Sequence, residues 1–415
     1  MKNFIFKRFK FYSVAGFFLF GILSFCQAQV ATGLDVLIAQ NFEMLRGKRV
    51  GLITNQTGKS RGGRTTVEAF WHCPHLKLKA LFAPEHGIDG KAPAGNYVST
   101  RRDARTGLPI YSLYGPTRKP TPSMLQGLDV LVFDIQDIGC RSYTYISTMG
   151  LAMQAAAAAG IEFLVLDRPN PLGGNRVEGP MLNPSVRSFV GQYEVPYVYG
   201  MTCGELARWI NRSAWMGKPC RLKVMPMRGW RRDMRWQETG LQWVPTSPNV
   251  PKAITALHYV ATGWLGEVGT MDNGVGSDAP FARAGAGWLK ADRYADAMNR
   301  LHLKGVYFKP VVYRITQGTW RGEKLEGIEL NYRDLDEVNL TEIAPYLMAV
   351  AQKMSGRNLF QRVKTDKLLM FDKVTGGAVV RQWLSSGRYV SSLVTSWEPA
   401  VERFRNSRRS LLLYP

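Results

Sequence analysis

The ten residues from Leu81 to Gly90 read LFAPEHGIDG. The apolar run Leu76 to Phe82 is expected to form a strand, and it stops at Pro84-Glu85-His86-Gly87. Two titratable groups therefore stand at a strand's carboxyl end, where open α/β sheets keep their ligand sites. The same rhythm recurs on either side. Lys48 to Thr54 (KRVGLIT) runs into Asn55-Gln56-Thr57-Gly58, and Leu128 to Phe133 (LDVLVF) runs into Asp134 and the polar-aromatic segment Asp134 to Tyr145 (DIQDIGCRSYTY). Glu162 to Leu166 ends at Asp167-Arg168-Pro169-Asn170-Pro171. Helical spacing or composition marks Gly33 to Arg46, Thr65 to His72, Lys119 to Gly127 and the alanine-rich Ser147 to Gly160. Short apolar runs alternating with helices predict an α/β fold with a parallel sheet and right-handed crossovers. All four strand ends should then face one edge, where acids, amides, an imidazole and a guanidinium line a single crevice.

Downstream, Leu172 to Pro196 is rich in Gly and Pro, and Met201 to Asn211 reads as a helix. Thr202 and Glu205 have the spacing of a capping box, so they are expected to close that helix's start. Leu222 to Met225 predicts a further strand, and Trp230, Trp236 and Trp243 follow among arginines. Pro245 to Pro251 (PTSPNVP) carries three prolines that resist regular structure, which makes it the best linker. A chain of 415 residues is too long for one ordinary core. The division falls there, into residues 29–250 and a smaller α/β domain, residues 251–415. That second part contains a helix from Ala253 to Thr262, a Gly-rich loop from Gly266 to Phe281, and an amphipathic helix from Leu340 to Met354. More helices and turns are expected between Asp372 and Arg405.

Residues 1–28 read as a secretory signal, with Lys2, Lys7, Arg8 and Lys10 before an apolar run from Phe11 to Phe25 and Cys26-Gln27-Ala28 as the cleavage site. The run is shorter than the ~20 apolar residues a membrane span needs. A periplasmic or secreted location is expected; acylation at Cys26 is the lesser alternative, because bulky Phe25 precedes it. Removing the leader takes four positive charges and no acidic ones, so the net charge falls from +22 to +18. An exported basic protein seldom meets nucleic acid, and wall fragments bearing carboxylates are the better anionic partner. Cys73, Cys140, Cys203 and Cys220 are too few for a disulfide scaffold, although one bridge, such as Cys203 to Cys220, is open. His72-Cys73-Pro74-His75 has no second cluster to complete a metal site, so no metal is expected.

The turns exclude several chemistries. The first strand-to-helix turn lacks the G-x-G-x-x-G that cradles a pyrophosphate, and no P-loop occurs, so no nucleotide cofactor is expected. No G-x-S-x-G stands at a strand end. Carbohydrate chemistry fits better: carboxylates, amides and arginines bond hydroxyls, and Tyr and Trp stack on sugar faces. Glycoside hydrolysis needs an acid to protonate the leaving oxygen. Glu85 is the candidate, with His86 or Asp137 to tune it. Asp134 is as well suited to a structural hydrogen bond as to substrate, and Asp167 and Arg168 could simply pair with each other.

Several of these stretches form an ordered series: GLITNQTG (Gly51 to Gly58), FAPEHGI (Phe82 to Ile88), TGLPIYSLYG (Thr106 to Gly115), VFDIQDIGCRSYTYIS (Val132 to Ser147) and LDRPNPLGG (Leu166 to Gly174). GMTCGELA (Gly200 to Ala207), MRGWRR (Met227 to Arg232) and SPNVP (Ser247 to Pro251) complete it. Over nearly all of the mature chain the sequence resembles the bacterial exo-β-N-acetylmuramidases of the NamZ type, long known as a family of unknown function. The resemblance implies a Rossmann-like N-terminal catalytic domain, a smaller C-terminal domain, and a site between them. It implies release of N-acetylmuramic acid from the non-reducing end of peptidoglycan fragments. Glu85 becomes the acid, and Asn55, His86, Gln136, Asp137, Arg141, Tyr143, Asp167, Arg168 and Asn170 become site-lining residues. Arg141 and Arg168 are the candidates for the lactyl carboxylate, because an arginine fork matches a carboxylate bidentately. Three departures fall near this site: Asp89 where relatives carry Arg, Tyr199 where they carry His, and the altered stretch Gly266 to Asn273, in which Glu267 or Asp272 would replace the relatives' glutamate. They leave open a second reading, a periplasmic protein that binds muropeptides or sugars without turnover.

Overall fold

A computed structural model describes Met1 and residues 29–415. The signal reading and Cys26 lie outside the described residues. Seven strands form the first sheet: β1 (Arg49–Thr54), β2 (Lys77–Ala83), β3 (Arg101–Arg102), β4 (Pro109–Ser112), β5 (Val130–Asp134), β6 (Glu162–Leu166) and β7 (Arg221–Met225). Their order is β3-β4-β2-β1-β5-β6-β7, and every neighbouring pair is parallel except β3 with β4. The stretch Ser99 to Tyr114, irregular by sequence, contributes the two short strands at this edge.

The central strands are apolar on both sides because both faces are covered. In β5, Val130 and Val132 enter one core with Leu34, Leu37 and Phe70, while Leu131 and Phe133 enter the other with Met149, Met153 and Leu206. β6 divides in the same way, with Leu164 and Leu166 on one side and Phe163 and Val165 on the other. Period-2 alternation thus yields a continuous apolar run instead of an amphipathic strand. Helix Gly33–Ala39 lies so close to the sheet that a Cβ on Gly33 would come within 2.4 Å of the Asp167 backbone nitrogen. Helix Tyr145–Ala159 ends at Gly160 with φ +67°, the left-handed stop that glycine accepts. Helix Cys203–Arg212 opens with the expected capping box between Thr202 and Glu205.

The second sheet is antiparallel, in the order β8-β10-β9, from β8 (Arg283–Ala286), β9 (Val306–Arg314) and β10 (Lys324–Tyr332). The sequence reading assigns no element here, although β9 alternates buried and exposed positions over its first four residues. Helices Ile254–Val268 and Ala291–Asn299 pack against it, and helices Leu340–Ser355, Thr365–Thr375, Val379–Ser385 and Val390–Ser407 build outward from those two. One hydrophobic core joins the two sheets, running from Phe82 and Phe163 through Trp264 to Ile343 and Leu393.

The chain's end returns to the first sheet. The Tyr414 hydroxyl donates to Asp167, and the Arg232 N–H donates to the Pro415 carbonyl. Pro245 to Pro251 is no free linker. Gln56 donates to the Pro245 carbonyl at 2.7 Å, Tyr143 to the Thr246 hydroxyl at 2.8 Å and Tyr145 to the Thr246 carbonyl at 2.5 Å. All four cysteines named above are buried and free, so the Cys203–Cys220 bridge is not made. Among the described residues no helix is long and apolar enough to cross a membrane.

Candidate active site

Strand β2 delivers Glu85 and His86 to the wall of a cleft of about 800 Å³ between the two sheets. The turn is sharp because His86 and Gly87 both take left-handed backbone, φ +69° and +78°. Such a conformation is uncommon for a non-glycine residue and costs free energy that surrounding contacts must offset. One contact is visible: the His86 Nδ1 meets the Ala92 carbonyl at 2.7 Å. A carbonyl only accepts, so Nδ1 carries a proton and donates it to this contact.

Glu85 is buried and held at both oxygens. The Gly95 N–H donates to Oε1 at 3.0 Å, and the hydroxyl of Thr144, the residue preceding helix Tyr145–Ala159, donates to Oε2 at 2.6 Å. Tyr114 lies beside it; burial first, then the Glu85 charge, push the Tyr114 phenol up to about 12. The floor comes from the Arg141 to Tyr145 segment. Tyr143 packs edge-on against Tyr145 at 4.9 Å and Tyr259 at 5.7 Å, and the Ser142 hydroxyl meets the hydroxyls of Tyr197 and Tyr259.

Helix Ile254–Val268 forms the facing wall with Tyr259, Gly263, Gly266 and Glu267, whose spacing puts them on one face. The side chain missing at Gly266 leaves room for Asn273, whose Nδ2 would lie 2.8 Å from an added Cβ. Burial pushes the Glu267 carboxyl up to about 7, against the pull of Lys367, so near neutral pH it holds a proton for part of the time. Asp272 accepts from the Gly274 N–H and the Tyr313 hydroxyl, both at 2.7 Å, and burial raises it as well. The rim carries Phe189, Arg118, Trp320 and Lys373, and Ser247 and Asn249 of the proline-rich segment complete the lining.

Four strand ends were expected to share this crevice, and only the end of β2 opens into it. Asn55 folds back, its Oδ1 accepting from the Thr57 N–H at 2.9 Å and the Thr57 hydroxyl at 2.5 Å. Gln136 donates to the carbonyls of Asp137 and Pro169. Asp137 accepts from the Tyr199 hydroxyl at 2.6 Å and the Gly139 N–H at 2.7 Å, borders a void of only about 10 Å³, and is raised by burial to about 6. It is off the cleft, against the expectation of a catalytic place. Arg168 grips Asp134 with two bonds of 2.5 and 2.9 Å, so it pairs with neither Asp167 nor open space. Asp167 instead accepts from Thr202, Gly204 and Tyr414. Asn170 bonds the Met201 carbonyl and the Leu172 N–H. Arg141 is wholly buried, donating to the carbonyls of Pro180, Val195 and Val374. It ties the two halves together and cannot reach a ligand in the cleft.

The crevice at the switch point between β1 and β5 is thus filled by its own polar groups. Of the expected residues, the cleft gathers Glu85, His86, Tyr143 and Glu267. The sequence reading missed Tyr114, Arg118, Ser247, Asn249 and Tyr259. Tyr114 sat within a quoted motif without a role, and Ser247 and Asn249 sat in the segment read as a linker. Trp320 and Lys373 carried no signal. Of the three departures, Asp89 faces Arg101 at 3.4 Å on the surface, Tyr199 is the donor to Asp137, and the altered stretch places both Glu267 and Asp272 on the cleft.

Comparison with known proteins bears on this geometry. The family model for the N-terminal part of the exo-β-N-acetylmuramidase NamZ matches residues 50–254, and that for its C-terminal part matches residues 257–414. A relative from Bacillus subtilis (strain 168), named peptidoglycan β-N-acetylmuramidase NamZ, is 39% identical over 386 residues, covering 93% of this chain and 92% of that one. Two crystal structures of DUF1343 family proteins from Bacteroides fragilis NCTC 9343 superpose with TM-scores of 0.89 and 0.71, at 44% and 26% identity. Each covers 93% of this chain and 99% of its own.

Proposed function

The chain belongs to the NamZ family of exo-β-N-acetylmuramidases, glycoside hydrolases of peptidoglycan, and on that premise we propose that it removes N-acetylmuramic acid from the non-reducing end of wall fragments with Glu85 as general acid. The observation that carries the assignment is the seat of Glu85. Among the described residues it is the one carboxyl at the end of a parallel strand that borders the cleft, and two donors fix its orientation. The Thr144 hydroxyl at Oε2 can serve as donor or acceptor, so it holds the carboxyl's orientation through a proton transfer. Glu267 lines the same cleft from the other sheet's side, and its protonated fraction donates to the sugar. Tyr143, Tyr259 and Trp320 supply aromatic surface for the ring faces.

The test is hydrolysis of a chromogenic β-N-acetylmuramide by the wild type and Glu85→Gln. Losing a general acid removes about 10²–10⁴-fold in kcat. Unchanged turnover in the variant would end the Glu85 assignment. The leader, residues 1–28, is proposed to export the protein to the periplasm or beyond. Its motive is the basic start and apolar run of the sequence. Fractionation with N-terminal sequencing tests it, and full-length protein in the cytoplasm refutes it.

A further inference from the structure

We propose that Arg118, with Lys373 as the second cation of the cleft, forms the anion subsite that receives the carboxylate of the sugar's 3-O-lactyl ether. This rests on the proposed substrate. The two arginines that the sequence favoured for that task are consumed elsewhere, Arg141 on three backbone carbonyls and Arg168 on Asp134. Among the described residues, Arg118 and Lys373 are the lysine and arginine side chains that line the cleft, and neither has an acidic partner or a hydrogen bond to protein.

Arg118 is positioned without being used up. Its guanidinium carbon stands 4.6 Å from the centroid of the Phe189 ring and 5.8 Å from that of Tyr114. The two rings are themselves in contact at 5.8 Å and tilted by 51°. Stacking on aromatic faces orders the planar group while its N–H edge stays free, which is the arrangement that receives a carboxylate bidentately. Tyr114 also lies against Glu85. The subsite is therefore one aromatic ring away from the acid that meets the glycosidic oxygen. In the sugar, the lactyl ether on C3 is two ring carbons from the anomeric carbon, so one bound ring presents the two groups to neighbouring walls. An unsubstituted N-acetylglucosamine would leave Arg118 facing water.

The test uses binding, which does not depend on turnover. Dissociation constants of N-acetylmuramic acid and of its carboxyl methyl ester are measured by calorimetry for the wild type, Arg118→Gln, Arg118→Lys and Lys373→Met. The wild type should favour the free acid by roughly 10- to 100-fold, the worth of a charge-assisted pair. Arg118→Gln should bring the two ligands within about threefold of each other. Arg118→Lys should keep part of the preference and Lys373→Met should reduce it. Equal losses for acid and ester in Arg118→Gln would mean that the residue only supports Phe189, and a preserved preference would overturn the subsite. A wild type that binds neither ligand would instead overturn the substrate assignment. A wild type that binds both equally would overturn the subsite alone.

Discussion

Replacing Glu267 by glutamine should stabilise the protein at pH 8 and hardly at all at pH 5. In the folded state this carboxyl keeps its proton to about 7, because burial on the cleft wall penalises the charge, whereas in the unfolded chain it releases the proton near 4.5. Between these values unfolding releases a proton, so raising the pH favours the unfolded state. The lift from 4.5 to about 7 is worth about 3.4 kcal/mol at full strength. The side chain keeps partial solvent contact at the cleft, so about half of that is expected in practice. Glutamine has the same shape, keeps a donor and never charges. Urea unfolding at pH 5 and pH 8 should therefore show Glu267→Gln gaining about 1–2 kcal/mol more at the higher pH. The activity readout follows from the same group. If the protonated carboxyl donates to the sugar, wild-type kcat/KM falls as pH rises through about 7, and Glu267→Gln loses that limb while keeping its activity at pH 6 within about tenfold. An equal stability change at both pH values would refute the buried-proton argument. An unaltered limb near 7 in the variant would refute the role at the sugar.

Two further changes probe the polar network behind the cleft. Tyr199→Phe removes the 2.6 Å donor to Asp137, whose Oδ1 already lacks a partner. It should cost about 1–3 kcal/mol in urea unfolding while kcat/KM on a chromogenic muramide stays within a few-fold; a loss of activity beyond tenfold would return Asp137 to the chemistry. Arg168→Met leaves Asp134 without its cationic partner at full burial and should destabilise by about 3–5 kcal/mol, measured by thermal or urea unfolding. A neutral result would show that Thr66, the other donor to Asp134, suffices.

The residues themselves determined the first sheet. Val130, Leu131, Val132 and Phe133 in succession can only be satisfied by a strand covered on both faces, and the helices between such runs force parallel order. The Pro84-Glu85-His86-Gly87 turn was equally legible, because a strand that ends in titratable groups and a glycine declares a loop at the sheet's edge. Composition at the other three strand ends looked the same, and there the reading placed too much at the ligand. Only the fold decided that Asn55, Gln136, Asp137, Asp167, Arg168 and Asn170 bond the loops and helix starts packed around them. A short polar side chain at a strand end can bond the neighbouring loop or a ligand, and the choice depends on which loop packs over it. The C-terminal tail, with Tyr414 on Asp167, is one such lid, supplied from 247 residues away in sequence. Arg118 shows the converse. It lies in no strand end, and it matters because Phe189 and Tyr114 arrive beneath it from separate segments while Glu85 sits behind Tyr114. Local patterns set where the chain is extended, helical or turning; which polar groups stay free for a substrate is decided by long-range packing, which satisfies all the others first.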